Sequence, residues 1–395
     1  MILIIKILFF LFLFLIFYVY IGYPVLIAFF YLCLNKKVKK APFEPFVTIL
    51  IAAYNEESCI ENTIRNKLSL DYPSDKLEII IISDESNDKT DEIVKQFEPQ
   101  GVRLLRQAPR AGKTSALNMA VPEATGEILI FSDANSTYAP DVLRKLAMNF
   151  ADSGVGYVTG KMLYTNPAGS TIGDGCSAYM KYENLLRKFE TGAGSVVGVD
   201  GGVDAVRKKL YQPMNPDQLP DFVLPLKVIE QGHRVVYESE AILKEATLKE
   251  SRDEYKMRVR VSLRALWALS DMRQLLTFRF GDARSHLRPF SPSFIFSWQL
   301  WSHKVLRYLC FIFLIGAYFT NWVLWPESFL FKCFFILQNM AYLGAIISPI
   351  IEKMRHRSRL LYLLNYFVLL NVASAHAFIK FILRRKQVVW TPRKG

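Results

Sequence analysis

Phe46-Val47-Thr48-Ile49-Leu50-Ile51-Ala52-Ala53 is an unbroken apolar, largely β-branched run that stops at the polar Tyr54-Asn55-Glu56-Glu57. Residues 77–83 repeat the pattern with Ile79-Ile80-Ile81-Ile82 and stop at Asp84. A helical stretch follows each run, toward Leu70 in the first case and over 86–96 in the second. Residues 102–105 read as a third strand, 113–121 as a helix, and 127–132 as a fourth strand that ends at Asp133-Ala134-Asn135. A strand with one wet face alternates apolar and polar residues, whereas a strand buried on both faces does not. Such runs, spaced by helices, predict an α/β fold with a mostly parallel sheet covered on both sides. Ligands of these sheets bind beyond the carboxyl ends of the strands, which is where the polar residues just named collect.

Outward from this core the composition changes. The 395 residues carry 49 Lys+Arg against 36 Asp+Glu, a formal charge of +13, yet 51% are hydrophobic and only 22% charged. That apolar excess over an ordinary soluble chain sits at the two ends. Residues 7–34 contain no charge, and about 28 residues of helix measure ~42 Å, enough to cross a hydrocarbon core of ~30 Å. Lys36, Lys37, Lys39 and Lys40 follow in place of a small-residue cleavage site, which favours a retained span with its basic end in the cytoplasm over a cleaved signal peptide. At the other end, 294–301 reads as a helix at the lipid interface, and 306–323 and 329–351 as spans. Residues 354–359 form a basic return. The last stretch, 360–383, is long enough to span, but a crossing there would strand Arg384, Arg385 and Lys386 on the far side, against the positive-inside bias. Either this segment is re-entrant or interfacial, or the N-terminal run crosses twice.

These boundaries divide the chain into an N-terminal membrane segment (1–40), a cytoplasmic domain (41–290) and a C-terminal membrane region (291–395). Basic residues at membrane edges account for the positive charge through anionic lipid headgroups. The middle has no basic groove interleaved with aromatics, so nucleic acid is not an expected partner. The 5 cysteines show no CxxC spacing, which argues against structural zinc. Neither a GxGxxG after the first strand nor a GxxxxGK[ST] is present; Arg110-Ala111-Gly112-Lys113-Thr114 lacks the leading glycine of a phosphate loop.

The ordered set Ala53-Tyr-Asn-Glu56, Ser83-Asp-Glu-Ser86, Arg110-Ala-Gly-Lys113, Ser132-Asp-Ala-Asn135, Gly201-Gly-Val-Asp-Ala-Val-Arg207, Leu219-Pro-Asp221 and Lys256-Met-Arg-Val-Arg260 resembles the family 2 glycosyltransferases of the GT-A fold. The resemblance is to the membrane-embedded branch with cellulose, hyaluronan and poly-N-acetylglucosamine synthases. It implies a transferase at the plasma (inner) membrane that takes a UDP-sugar and passes the sugar, with inversion, to a polysaccharide or lipid-linked acceptor. Ala53, Tyr54, Glu56, Asp84, Arg110 and Lys113 would then bind the nucleotide, with Asp84 receiving the uracil ring and Lys113 and Arg110 the diphosphate. Asp133 and Asn135 correspond to the DxD motif that holds Mg²⁺ or Mn²⁺; the amide at Asn135 brings an oxygen ligand without charge. Asp221 would be the general base, with Asp217 as a substitute. One carboxylate suffices because the nucleotide departs as a metal-bound anion. Arg258 and Arg260 would stabilise charge on the leaving diphosphate, and Gly201 and Gly202 would admit the acceptor. The family's acidic residue before the base is Pro220 here, and its Trp after the arginine motif is Val261. Those two changes, with Asn135, leave a catalytically silent GT-A membrane scaffold as the alternative.

Overall fold

The computed structural model describes residues 1–165, 171–246, 251–278, 294–353 and 358–387. The expected boundary at 290 and the basic run at 354–357 lie outside the described residues. One eight-stranded sheet organises the α/β part, in the order β3-β2-β1-β4-β7-β6-β8-β5. Its strands are β1 (Val47–Ala53), β2 (Leu77–Asp84), β3 (Val102–Gln107), β4 (Ile128–Asp133), β5 (Thr137–Tyr138), β6 (Val155–Thr165), β7 (Val203–Arg207) and β8 (Arg234–Ala246). The four strands expected from the sequence are mutually parallel. β7 runs antiparallel to both β4 and β6, so the complete sheet is mixed.

The isoleucine runs split between two cores by strand period. Ile49, Ile51, Ile79 and Ile81 face one, with Ile60 and Ile64 of α3 (Ile60–Leu68) and Val94 of α4 (Thr90–Lys95). Leu50, Ile80 and Ile82 face the other, with Ala116, Leu117 and Ala120 of α5 (Lys113–Glu123). Each fully buried aliphatic side chain contributes about 1.5–3 kcal/mol, and the buried polar Thr48 of β1 is satisfied across the strands, its Oγ1 donating to Glu78 Oε2 of β2 at 2.6 Å. The helix expected over 86–96 is confined to α4, whose first residue, Thr90, donates its backbone N–H to the Asp88 carboxylate of the preceding turn at 2.9 Å.

α6 (Val142–Ala147) covers the far part of the sheet, and α7 (Thr171–Ala193) leaves it to meet the apolar helices. α8 (Pro220–Glu230) and α9 (Ser251–Asp271) complete the α/β part, with Phe222, Val223, Ala265 and Ala268 in the second core. At the N-terminus, α1 (Ile2–Phe17) and α2 (Tyr23–Leu34) join through a π turn at Tyr18–Gly22 into one helix of 33 residues. The N-terminal run therefore does not cross twice. At the C-terminal end, α10 (Phe294–Leu300), a second π turn (Trp301–Val305) and α11 (Leu306–Tyr308) lead into α12 (Cys310–Leu324), bent by 57°. α13 (Phe329–Lys353) and α14 (Arg359–Ile382) follow.

Three described helices are long and apolar enough to cross a membrane, or four if the bent pair is one span. α14 lies along α9 for most of its length: Tyr366 meets Glu254, His376 meets Tyr255, and Phe381 packs edge-on against Trp267. Its basic end returns to the α/β part, where Lys386 Nζ stands 2.5 Å from Asp217 Oδ2 and Trp267 donates to the Arg385 carbonyl at 3.0 Å. Arg384–Lys386 are thus on the same side as the sheet. Over Leu360–Ile382, α14 is at the same time long and apolar enough to cross a membrane.

Candidate active site

Strand register brings the site together. Ala52 lies opposite Asp133 and Ala53 opposite Ser83, so β1, β2 and β4 end at one level. The antiparallel β7 starts at that level, with Val203 opposite Ser132, and this carries Gly201 and Gly202 to the carboxyl end of β4. Had β7 been parallel, the glycines would stand at the opposite edge.

Lys113 begins α5, and its ammonium reaches Asp133 Oδ1 at 2.5 Å. Next to it, Thr114 Oγ1 donates to the Gln218 carbonyl at 2.7 Å, and Arg264 Nε donates to the Asp217 carbonyl at 3.1 Å. These bonds hold the segment before α8 against the start of α5. Pro220, which departs from the family pattern, occupies the first helical position of α8, where a missing N–H costs nothing. Asp221 therefore stands in the first turn. A Cβ at Gly201 would lie 2.6 Å from Asp221 Oδ2, and one at Gly202 3.4 Å from Asp133 Oδ2. Gly201 also has φ +81°, so Gly201→Ala combines left-handed strain with a clash against the carboxylate. It is expected to lower stability by about 1–2 kcal/mol, read as a drop in thermal midpoint, together with turnover.

The electrostatics are those of a partly desolvated charge cluster. Burial pushes the Asp221 carboxyl above the usual carboxylate range; Lys113 pulls it down and Asp133 pushes it up. Its Oδ1 is buried and has no hydrogen-bond partner among the described residues. Burial draws Lys113 down, but Asp133 and Asp221 outweigh it, and the ammonium is held above its ordinary value. Burial also raises Glu56, with the charges of Asp133 and Asp88 adding to it and a hydrogen bond from Cys59 opposing.

Arg110 stacks on Tyr54, its guanidinium carbon 3.4 Å from the ring centroid. Asp84 is fully buried and accepts from the Gln107 amide and from the backbone N–H groups of Ala111 (2.9 Å) and Gly112 (3.2 Å and 3.1 Å). In this structure its carboxylate shapes the 107–113 loop that presents Arg110 and Lys113.

The two arginines of α9 part company. Arg260 is close enough to Asp221 and Asp133 for both charges to act on it, and its buried Nε has no hydrogen-bond partner among the described residues. Arg258 turns instead toward the apolar helices, bound to Glu254 Oε1 (2.8 Å) and Tyr366 Oη (2.6 Å). Asp217 pairs with Lys386 rather than joining the cluster.

One group of the cluster was not singled out from the sequence. Asp204, inside the Gly201–Arg207 motif, is fully buried and accepts from Tyr157 Oη (2.9 Å) and the Gly201 N–H (2.8 Å). Burial raises it to about 7. It sits on the inward face of a strand too short for its alternation to be read.

Among the described residues no group of three or more His, Cys, Asp or Glu could hold a metal on its own. The donors available at the strand end are the Asp133 carboxylate and the Asn135 amide. Both are hard oxygen ligands that suit Mg²⁺ or Mn²⁺ when phosphate and water complete the shell.

Residues 48–212 match the glycosyl transferase family 2 model. The β-monoglucosyldiacylglycerol synthase of Trichormus variabilis is 33% identical over 169 residues, which cover 42% of this chain and 36% of that protein. The poly-β-1,6-N-acetyl-D-glucosamine synthase of Staphylococcus aureus is 28% identical over 274 residues, 67% of this chain and 64% of that one. The chain thus spans little more than a third of the length of the first of these relatives. In structure it is similar to the mannosyltransferase PcManGT from Pyrobaculum calidifontis, solved with GDP-Man and Mn²⁺, at a TM-score of 0.69 and 22% identity over 94% of this chain and 97% of that one. With the sheet, the strand-end residues and these likenesses in agreement, the chain carries a glycosyltransferase family 2 domain built on a GT-A-like α/β fold.

Proposed function

We propose that this protein is a membrane-embedded inverting glycosyltransferase that moves a sugar from a UDP-sugar to a polysaccharide or lipid-linked acceptor, with Asp221 as general base. The observation that carries this reading is the convergence of Lys113, Asp133, Arg260 and Asp221 beyond the strand ends, with one Asp221 oxygen that has no hydrogen-bond partner among the described residues. A base that must take a proton needs a free lone pair and a pKa lifted toward neutrality, and a buried carboxylate beside Asp133 has both.

On this reading Ala53, Tyr54, Glu56 and Asp84 form the nucleotide side, and Asp84 acts by holding the loop that carries Arg110 and Lys113. Asp133 and Asn135 would hold a divalent ion, which when bound neutralises the leaving diphosphate. Lys113, now on Asp133, is placed to turn to the phosphates as they arrive, and Arg260 to meet the charge that develops there. Gly201 and Gly202 leave room at Asp221 for the attacking hydroxyl. Arg258, on the membrane side, serves the acceptor end. The α/β domain is then cytoplasmic, following Lys36–Lys40 at the end of α2, in the plasma (inner) membrane.

The test is UDP release from a panel of UDP-sugars by the detergent-solubilised protein, beside Asp133→Ala and Asp221→Asn. Loss of release in both variants is expected, with Asp133→Ala also weakening metal-dependent nucleotide binding. Equal release from all three proteins would favour the silent scaffold.

A further inference from the structure

The buried face of α3 is half polar. It consists of Ile60, Thr63, Ile64 and Lys67, although apolar residues at all four positions would serve to cover the sheet. Lys67 is fully buried. Its amino group donates to the Ser136 carbonyl at 2.8 Å and to Asn66 Oδ1 at 3.1 Å, and it lies 3.5 Å from the centroid of the Tyr138 ring. Burying such a group is costly unless its bonds are made. Burial draws Lys67 down to about 7, with the charge of Asp133 opposing. Charged or neutral, its N–H reaches the Ser136 carbonyl, so the contact does not depend on its titration.

The segment after Asp133 is held at two further points. Thr63 Oγ1 donates to the Ala134 carbonyl at 2.5 Å, while the Asn66 side chain donates to the Tyr138 carbonyl at 3.0 Å and accepts the Tyr138 N–H at 2.8 Å. Thr63, Asn66 and Lys67 are spaced i, i+3 and i+4, so one side of the helix makes every contact. Residues 134–136 lie between β4 and β5, outside the strand ladder, and α3 supplies bonds that a partner strand would otherwise give. Exposure nevertheless alternates as in a strand. Ala134, Ser136 and Tyr138 are buried, Asp133 and Asn135 half-buried and Thr137 exposed. The three residues that α3 grips are the buried ones, which leaves Asp133 and Asn135 on the other side of the alternation. Tyr138 extends the hold to the glycine turn, its Oη donating to the Gly202 carbonyl at 2.7 Å.

We infer that Thr63, Asn66 and Lys67 are positioning residues for the metal site: by clamping Ala134, Ser136 and Tyr138 they present the Asp133 carboxylate and the Asn135 amide together to one divalent ion. The inference rests on the proposed reading of Asp133 and Asn135 as ligands of that ion. Groups behind metal ligands typically govern affinity by 10–100-fold when removed, and none of the three touches the nucleotide side of the site.

The test is binding of UDP and GDP to the detergent-solubilised full-length protein across a Mn²⁺ titration, with thermal midpoints measured alongside. Mn²⁺ is expected to tighten binding of the preferred nucleotide by about tenfold or more in the wild-type protein. Thr63→Val, which keeps the shape and loses the hydroxyl, should raise the Mn²⁺ concentration giving half of that gain by about tenfold, and Lys67→Met by as much or more. Nucleotide binding without Mn²⁺ should stay within about twofold in both, and Thr63→Ser should restore the wild-type titration. Arg65→Gln, on the exposed side of α3, should leave it unmoved. A lower thermal midpoint with an unmoved Mn²⁺ titration in Thr63→Val and a folded Lys67→Met would reduce the clamp to fold support and overturn the inference. So would equal losses of nucleotide affinity with and without Mn²⁺. Nucleotide binding by the wild-type protein that ignored Mn²⁺ would overturn the ligand reading and the inference with it. A preference for GDP, with the variants behaving as expected, would correct the proposed donor and leave the clamp standing.

Discussion

Asp221→Asn is expected to lower the turnover of sugar transfer by about 10³-fold while leaving donor KM within a few-fold of wild type, since general-base contributions run from about 10² to 10⁴. Asparagine keeps the volume in the first turn of α8 but cannot accept a proton from the attacking hydroxyl. The pH profile separates loss of the base from loss of shape. Burial and then the charge of Asp133 hold Asp221 above the usual carboxylate range, against the pull of Lys113. Activity of the wild-type protein should therefore rise with pH along an acid limb lying higher than an ordinary aspartate would give, as the proton leaves the base. The residual rate of Asp221→Asn should lack that limb. A variant rate within about threefold of wild type, or an unchanged limb, would remove Asp221 from the chemistry.

Lys113→Met should cost about 10²–10³-fold in kcat/KM, the usual loss when one preorganised cationic donor is taken from a developing anion. It has a second, independent signature. Lys113 is the largest favourable influence on the Asp221 carboxylate, and it neutralises Asp133 at 2.5 Å. With the ammonium gone, Arg264 and a backbone hydrogen bond remain as the opposition to burial and Asp133 at Asp221, and the acid limb should move to higher pH. Lys113→Arg should recover part of the rate and most of the limb's position, because it restores the charge without the compact ammonium. A lowered rate with the limb unmoved would mean that Lys113 touches the donor but not the base.

The parallel half of the sheet was legible because burial on both faces leaves a pattern that repeated polar interruption would spoil, and across residues 47–53 and 79–82 the one polar side chain is Thr48. The strand-end positions of Asp84 and Asp133 followed from the same pattern, since a parallel strand must stop where its ligand edge begins. Asp204 was missed because one acidic residue in a five-residue strand does not announce which face it takes. The parting of Arg258 from Arg260 was equally hidden: residues two apart on a helix point in different directions, but only a neighbour such as Tyr366, 108 positions away, shows where each direction leads.

Local chemistry alone therefore determined the α/β class, the apolar ends and the carboxylates at the strand ends, because hydrophobic period and turn residues are properties of neighbours in sequence. The tertiary structure decided the direction of β7, the docking of α14 along α9 and the meeting of Lys113 with Asp221. Each of these depends on contacts between residues far apart in the chain, whose closure is governed by the packing of two cores and not by any segment's own preference.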